Sequence, residues 1–233
     1  MINSVRNTVL SVLNKNNYGY ISPNDFNLFA KQAQLDIFEN YFYRYNYQIM
    51  KENARESSIG YADIKKQYEE VIDSFTKIVP LTIATGTYPL PTDYYTIVRV
   101  IHTNAAGRMV EVEKLPIARA QQLLMSNLTQ PIELFPAYVQ SEDRLTVYPS
   151  SIVTGVTCYY VRYPKDPKWT YTMVSGDPLF NQSAVDYQDF ELPLTDEPTL
   201  VAKILQYAGM SIREIEAIQF GDQLEEKELV IEK

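Results

Sequence analysis

Residues Phe26 to Lys51 run for 26 positions without a glycine or a proline, directly after the sequence Ser22-Pro23-Asn24-Asp25. That start combines an N-cap hydroxyl, a proline at the first helical position and an acid three residues after the serine, which is close to a capping box. A helix of roughly 28 residues and roughly 42 Å is therefore expected here, at ~1.5 Å of rise per residue. Its apolar residues do not keep to one side. Phe26, Phe29, Ala30, Ala33, Ile37 and Tyr41 form one stripe, and Leu28, Leu35, Phe38, Phe42, Tyr45 and Ile49 form another. A helix apolar around most of its circumference has to be covered around most of it, by neighbouring helices or by another subunit. Phe26, Phe29, Phe38, Tyr41, Phe42 and Tyr45 are accordingly the candidate bundle or subunit contacts.

Around this helix the pattern predicts an α+β chain in three parts. Residues 1–80 read as a helical bundle: a short helix with Val5, Val9, Val12 and Leu13 on one stripe, the long helix, and a third helix over Asp63–Val79 carrying Ile64, Tyr68, Val71, Ile72 and Phe75. Residues 81–190 read as a β-rich module. Strands are expected at Tyr94–His102, Ala137–Gln140, Arg144–Tyr148 and Val156–Tyr163, with Arg108–Lys114 as the second arm of a hairpin turned at Asn104–Gly107. Pro116–Asn127 is expected to be helical, with Ile117, Ala120, Leu123 and Leu124 on one side. Residues 165–187 carry two prolines and the single tryptophan without clear period, and read as an extended loop or arm. Residues 191–233 give a helix with Val201, Ile204, Leu205 and Ala208 on its apolar side and a break at Gly209 or Ser211. A charged tail follows that packs back on the bundle or reaches a partner.

Composition removes several function classes. A net charge of −8 over 233 residues disfavours a protein that holds nucleic acid by its phosphates, since that needs clustered Lys and Arg. An acidic surface remains compatible with a channel through which duplex DNA slides without sticking. The only cysteine, Cys158, stands in an apolar run and reads as a small buried hydrophobe. No segment approaches the ~20 apolar residues needed to span a bilayer, and MINSVRNTVLSVLNK has no continuous apolar core like that of a signal peptide, so synthesis in a cytoplasm and no membrane association are expected.

The chain offers little for catalysis. His102 is its only histidine, so Ser-His and Cys-His arrangements have a single candidate base, and His/Cys zinc sites lack ligands. On an alternating strand, His102 is expected to be a structural histidine with a satisfied ring. The acid pairs Glu69/Glu70, Glu111/Glu113, Glu142/Asp143 and Glu225/Glu226 lie where carboxylates are ordinarily solvated. Phosphate-binding glycine loops and calcium loops are absent. No catalytic, cofactor or metal residue is therefore expected. The 19 tyrosines against one tryptophan suit either a tyrosine-rich core or surfaces buried on assembly.

The segment GYISPNDFNLFAKQAQLDIFENYFYRYN resembles the N-terminal part of virion structural proteins of crAss-like and related tailed phages. DFELPLTDEPTLVAKILQYAGMSIREIEAIQFGDQLEEKE resembles their C-terminal helix. In layout such proteins look like the adaptors of short-tailed phages, also called tail tubular protein A. The resemblance implies a structural subunit of a head-to-tail connector, a ring of about twelve copies with heterologous contacts. Such a dodecamer is located at the portal vertex of the virion, bridges portal and tail, and forms part of the channel for DNA ejection. It further implies that the tail, through Leu224, Leu229 and Ile231, contacts the portal, and that residues 165–187 touch a neighbouring ring or tail protein. Two alternatives share the absence of an active site: another virion ring such as a stopper or tail-tube subunit, and a receptor- or glycan-binding module. The second would place aromatics on strand faces and loops, whereas many here lie on the long helix.

Overall fold

The computed structural model describes residues 1–14, 21–55, 62–104 and 106–212. In chain order the elements are α1 (Ile2–Asn14), α2 (Pro23–Arg55), α3 (Ala62–Ser74), β1 (Thr76–Leu81), β2 (Tyr88–Pro89), β3 (Tyr94–Thr103), β4 (Met109–Glu111), β5 (Glu113–Lys114), α4 (Ile117–Leu124), β6 (Ala137–Ser141), β7 (Arg144–Tyr148), β8 (Val156–Arg162), β9 (Tyr171–Val174), β10 (Asp177–Phe180) and α5 (Glu197–Ile212). The fold is mixed α+β, with helices first, a β-rich middle and a helix last. Two compact units divide it: Met1–Val71 with Pro164–Lys233, and Ile72–Tyr163. The division differs from the expected boundaries at 80 and 190 in two ways. The β unit begins earlier, and residues 164–190 fold with the helices.

In the helical unit, α2 starts as its sequence dictates. The Asp25 N–H donates to Ser22 Oγ at 3.2 Å, and that hydroxyl donates to the Asp25 carboxylate at 2.6 Å. The helix reaches 33 residues, and α5 lies along both α1 and α2. Their shared core holds Ile2, Val5, Val9 and Leu13 from α1; Phe26, Ala30, Ala33, Ile37, Phe38 and Tyr41 from α2; and Leu200, Ile204, Leu205 and Ala208 from α5. Buried Gln34 clips the returning chain to α2, its Nε2 donating to Lys165 O at 2.8 Å and its Oε1 accepting from the Glu191 N–H at 3.1 Å. Tyr41 donates to Asp196 and Tyr207 to Asp36. Gly209 does not end α5, which runs on to Ile212. Gly209 is buried, and packing there offsets the ~1 kcal/mol by which glycine disfavours a helix.

A second anchor sits on Asp189. Its carboxylate accepts from the Met1 ammonium (3.0 Å), the Ile2 N–H (2.8 Å) and the Phe190 N–H (2.8 Å). Burial works against its charge, but the Ile2 N–H, the Met1 ammonium and the Phe190 N–H outweigh it and hold its pKa below the usual value. A depressed folded pKa gives stability that is present above about pH 4 and lost as pH falls through the folded value. Asp189→Ala strands the N–H of fully buried Ile2 and is expected to cost about 1–3 kcal/mol at pH 7. Urea unfolding at pH 7 and pH 3 checks this: the gap between wild type and variant should narrow in acid, and an equal gap at both pH values would refute it.

In the β unit, one sheet has the order β1-β8-β3-β4 and the other β2-β7-β6-β5. Every pairing is antiparallel except β5 with β6. Both sheets contribute to one core that includes Tyr88, Val100, Tyr138, Leu145, Val156, Cys158 and Tyr160. The helix expected over Asp63–Val79 stops at Ser74. Residues 76–81 pair instead with Val156–Val161, because β-branched Thr76, Ile78 and Val79 suit a pleated surface and Pro80 is tolerated on an edge strand. The expected strand over Arg108–Lys114 is divided at Val112. Met109–Glu111 stays with β3, buried Val112 donates its N–H to Val100 O at 2.9 Å, and Glu113–Lys114 crosses to lie parallel to β6. The α4 helix covers only part of the expected Pro116–Asn127, and of its residues only Ala120 is buried.

Candidate interaction surfaces

Residues 165–187 form a short hairpin instead of an extended loop. Val174 and Asp177 pair across Ser175 and Gly176, both at positive φ (55° and 98°), which is the two-residue turn whose twist matches that of its strands. Trp169 anchors the root of this hairpin and is 2% exposed. Its Nε1–H donates to Asn3 Oδ1 (3.1 Å) and its backbone N–H to Asn27 Oδ1 (2.8 Å), while Asn27 Nδ2 donates back to Trp169 O (3.2 Å). The Arg6 guanidinium stands 3.8 Å from the ring centroid, and Tyr171 and Phe180 stack on the indole at 5.6 and 5.8 Å. The tryptophan thus ties α1, α2 and the hairpin together. Beyond that root Met173, Val174 and Leu179 are exposed.

The six aromatic residues singled out on α2 separate into two groups. Phe26, Phe38 and Tyr41 are buried within this chain, so they are core residues and not free for a neighbouring subunit. Phe29, Phe42 and Tyr45 are half-buried; Phe42 meets Phe38 edge to face at 5.1 Å. Of the second stripe, Leu28 stands open to solvent, and so do Tyr43, Tyr47 and Met50, which belong to neither stripe. Their spacing of four and then three residues could have marked them as a third line along the helix. Leu224, Leu229 and Ile231 lie outside the described residues.

The chemistry-bearing side chains do not converge. Among the described residues no three His, Cys, Asp or Glu side chains are grouped as metal ligands would be. His102 is 7% exposed and its Nδ1 has no hydrogen-bond partner, so the expected satisfied ring is corrected. The strand carries it into a core where the side chains opposite, Val110 and Val156, offer no polar atom. Cys158 is buried as anticipated, and burial pushes its thiol up to about 11, which keeps it protonated at neutral pH. Glu69, Glu70, Glu113, Glu142 and Asp143 are exposed, and Glu111 pairs with Arg99 at 3.2 Å.

A cleft of about 650 Å³ in the β unit is lined by Lys114, Leu115, Pro116, Ile117, Gln140 and Glu142. Its polar groups are partly satisfied internally: Lys114 Nζ donates to Gln140 Oε1 at 3.2 Å, and Gln140 Nε2 to Tyr94 Oη at 2.6 Å. Charge is unevenly divided between the units. Residues 72–163 contain seven Lys or Arg and seven Asp or Glu, so the whole excess of −8 lies in residues 1–71 and 164–233, half of it in residues 213–233, outside the described residues. The sequence matches no protein-family model and no curated protein.

Proposed function

We propose that this chain is a structural subunit of a phage head-to-tail connector, forming a ring of about twelve copies that bridges portal and tail. The observation that carries the reading is the layout: the capped helix α2 and the helix α5, whose sequences resemble those of phage adaptors, pack together as one helical unit, with a β unit between them in the chain. The open apolar side chains on α2, on the β9–β10 hairpin and on the β unit favour a protein that completes its surfaces by assembly. On this reading the role is mechanical, without catalysis or cofactor. Its partners are copies of itself, the portal protein, neighbouring ring or tail proteins, and duplex DNA that passes without sequence-specific binding. A negatively lined passage, in keeping with the net charge of −8, would keep ejected DNA from adhering.

Quantifying the protein by mass spectrometry against the major capsid protein of purified particles tests this. A fixed value of about twelve copies per particle is expected for one ring. Several dozen copies or more would move the chain to a tail tube or capsid decoration, and absence from the particle would overturn the structural role.

A further inference from the structure

We infer that the segment between β5 and β6, centred on α4 and the turn after it, is the surface through which this chain contacts a second copy of itself. The segment connects two adjacent parallel strands, a crossover that ordinarily lays its helix over the sheet and buries an apolar face there. Here the cover is only partial: α4 touches β6 and Ala120 is buried, with Leu123 and Leu124 half-buried. Ile117, Met125, Leu128, Ile132, Leu134 and Phe135 are exposed, Met125 by 86%, Leu128 by 97% and Phe135 by 75%.

The exposed residues belong to one folded protrusion. Thr129 Oγ1 donates to Leu123 O and Gln130 Nε2 to Leu124 O, both at 3.1 Å, which fastens the turn against the end of α4. The Phe135 N–H donates to Ile132 O at 2.9 Å, closing the second turn. Six large apolar side chains so exposed offer on the order of 600–800 Å², above the few hundred Å² of a typical largest patch on a monomer and near the ~800 Å² per partner of a standard interface.

Charge permits a second copy as the occupant, and the exposed area is what such a contact needs. Two molecules that each carry −8 repel wherever their acidic regions meet, and like charges across an interface are costly. The protrusion holds one cation, Arg119, and one anion, Glu133, on a unit whose charges balance. It is a place where two copies can meet without that repulsion. The cleft that Ile117 lines together with Leu115, Pro116, Lys114, Gln140 and Glu142 continues this surface on the same unit, with a mixed apolar and polar lining. The inference names the self-contact surface of the ring reading and rests on that reading only for the number of copies.

The test is sedimentation equilibrium of the full chain at up to about 100 μM, a range that covers weak self-association. Leu128→Glu with Phe135→Glu is compared with the control Val185→Glu, an exposed site outside the protrusion, and circular dichroism verifies the fold of each. The wild type and the control are expected to self-associate, and the double variant to do so at least ~100-fold more weakly, as loss of central apolar anchors entails. If the double variant associates like the wild type, this surface is not the contact, while the copy number in particles still decides the ring. A wild type that stays monomeric throughout also overturns the inference. Loss of association in the control as well would show general charge repulsion and overturn it too.

Discussion

Trp169→Ala is expected to destabilise the helical unit by about 4 kcal/mol, within the range for removing a large buried aromatic side chain. The void is only part of the effect. The substitution leaves Asn3 Oδ1 without its indole donor and removes the ring face beneath Arg6, in a region where both flanking elements depend on the same side chain. Against a total stability of ~5–15 kcal/mol, this is a large share. Denaturant unfolding of the full chain measures it, and hydrogen exchange locates it: protection should fall in α1 and around the hairpin. Trp169→Phe keeps most of the apolar volume and should recover part of the loss. A loss below about 1 kcal/mol for the alanine variant would mean that the hairpin root is not held by this ring.

The second large effect is expected at Gly155. Its φ is +75°, and a Cβ there would stand 2.3 Å from Thr103 O, a backbone atom of the adjoining strand. Thr103 cannot withdraw cheaply, since its own N–H donates to Gly155 O at 2.8 Å. Gly155→Ala therefore combines left-handed strain with a clash that only backbone movement relieves, together roughly 3 kcal/mol or more. Gly107 also has a positive φ, +78°, but has nothing within 4 Å of the added carbon. Gly107→Ala should therefore cost only the conformational penalty, about 1–2 kcal/mol. Equal losses for the two variants would remove the steric argument and leave backbone conformation as the sole cause.

These two positions also mark where the sequence is legible and where it is not. The start of α2 could be read because Ser22 and Asp25 act on each other three residues apart, within reach of a local pattern. Strands β3, β6, β7 and β8 were readable from alternation, since one face of each meets the same core. Trp169 was opaque for the opposite reason. Its partners Asn3 and Asn27 are 166 and 142 residues away, so nothing near it announces burial. The Ser175-Gly176 dipeptide is a local turn signal that the reading of 165–187 as a loop passed over, because the prolines on either side obscured the strands. The helix expected beyond Ser74 failed because the apolar spacing through Phe75 is shared by helix and strand, and only pairing with β8 decides between them. On α2, the residue types pointed to broad coverage without saying which side the chain itself supplies. Phe26, Phe38 and Tyr41 proved internal, while Tyr43 and Met50 face outward.

The bond from Ile2 to Asp189 also sets a timetable for synthesis. A gap of 187 residues takes roughly 10–40 s to translate at ~5–20 residues per second. All of residues 72–163 emerge within that interval, so the β unit has its full complement of strands while the first helices still lack α5. The nascent chain therefore carries the naked apolar sides of α1 and α2 until α5 (Glu197–Ile212) has been translated. In that interval it is most exposed to aggregation.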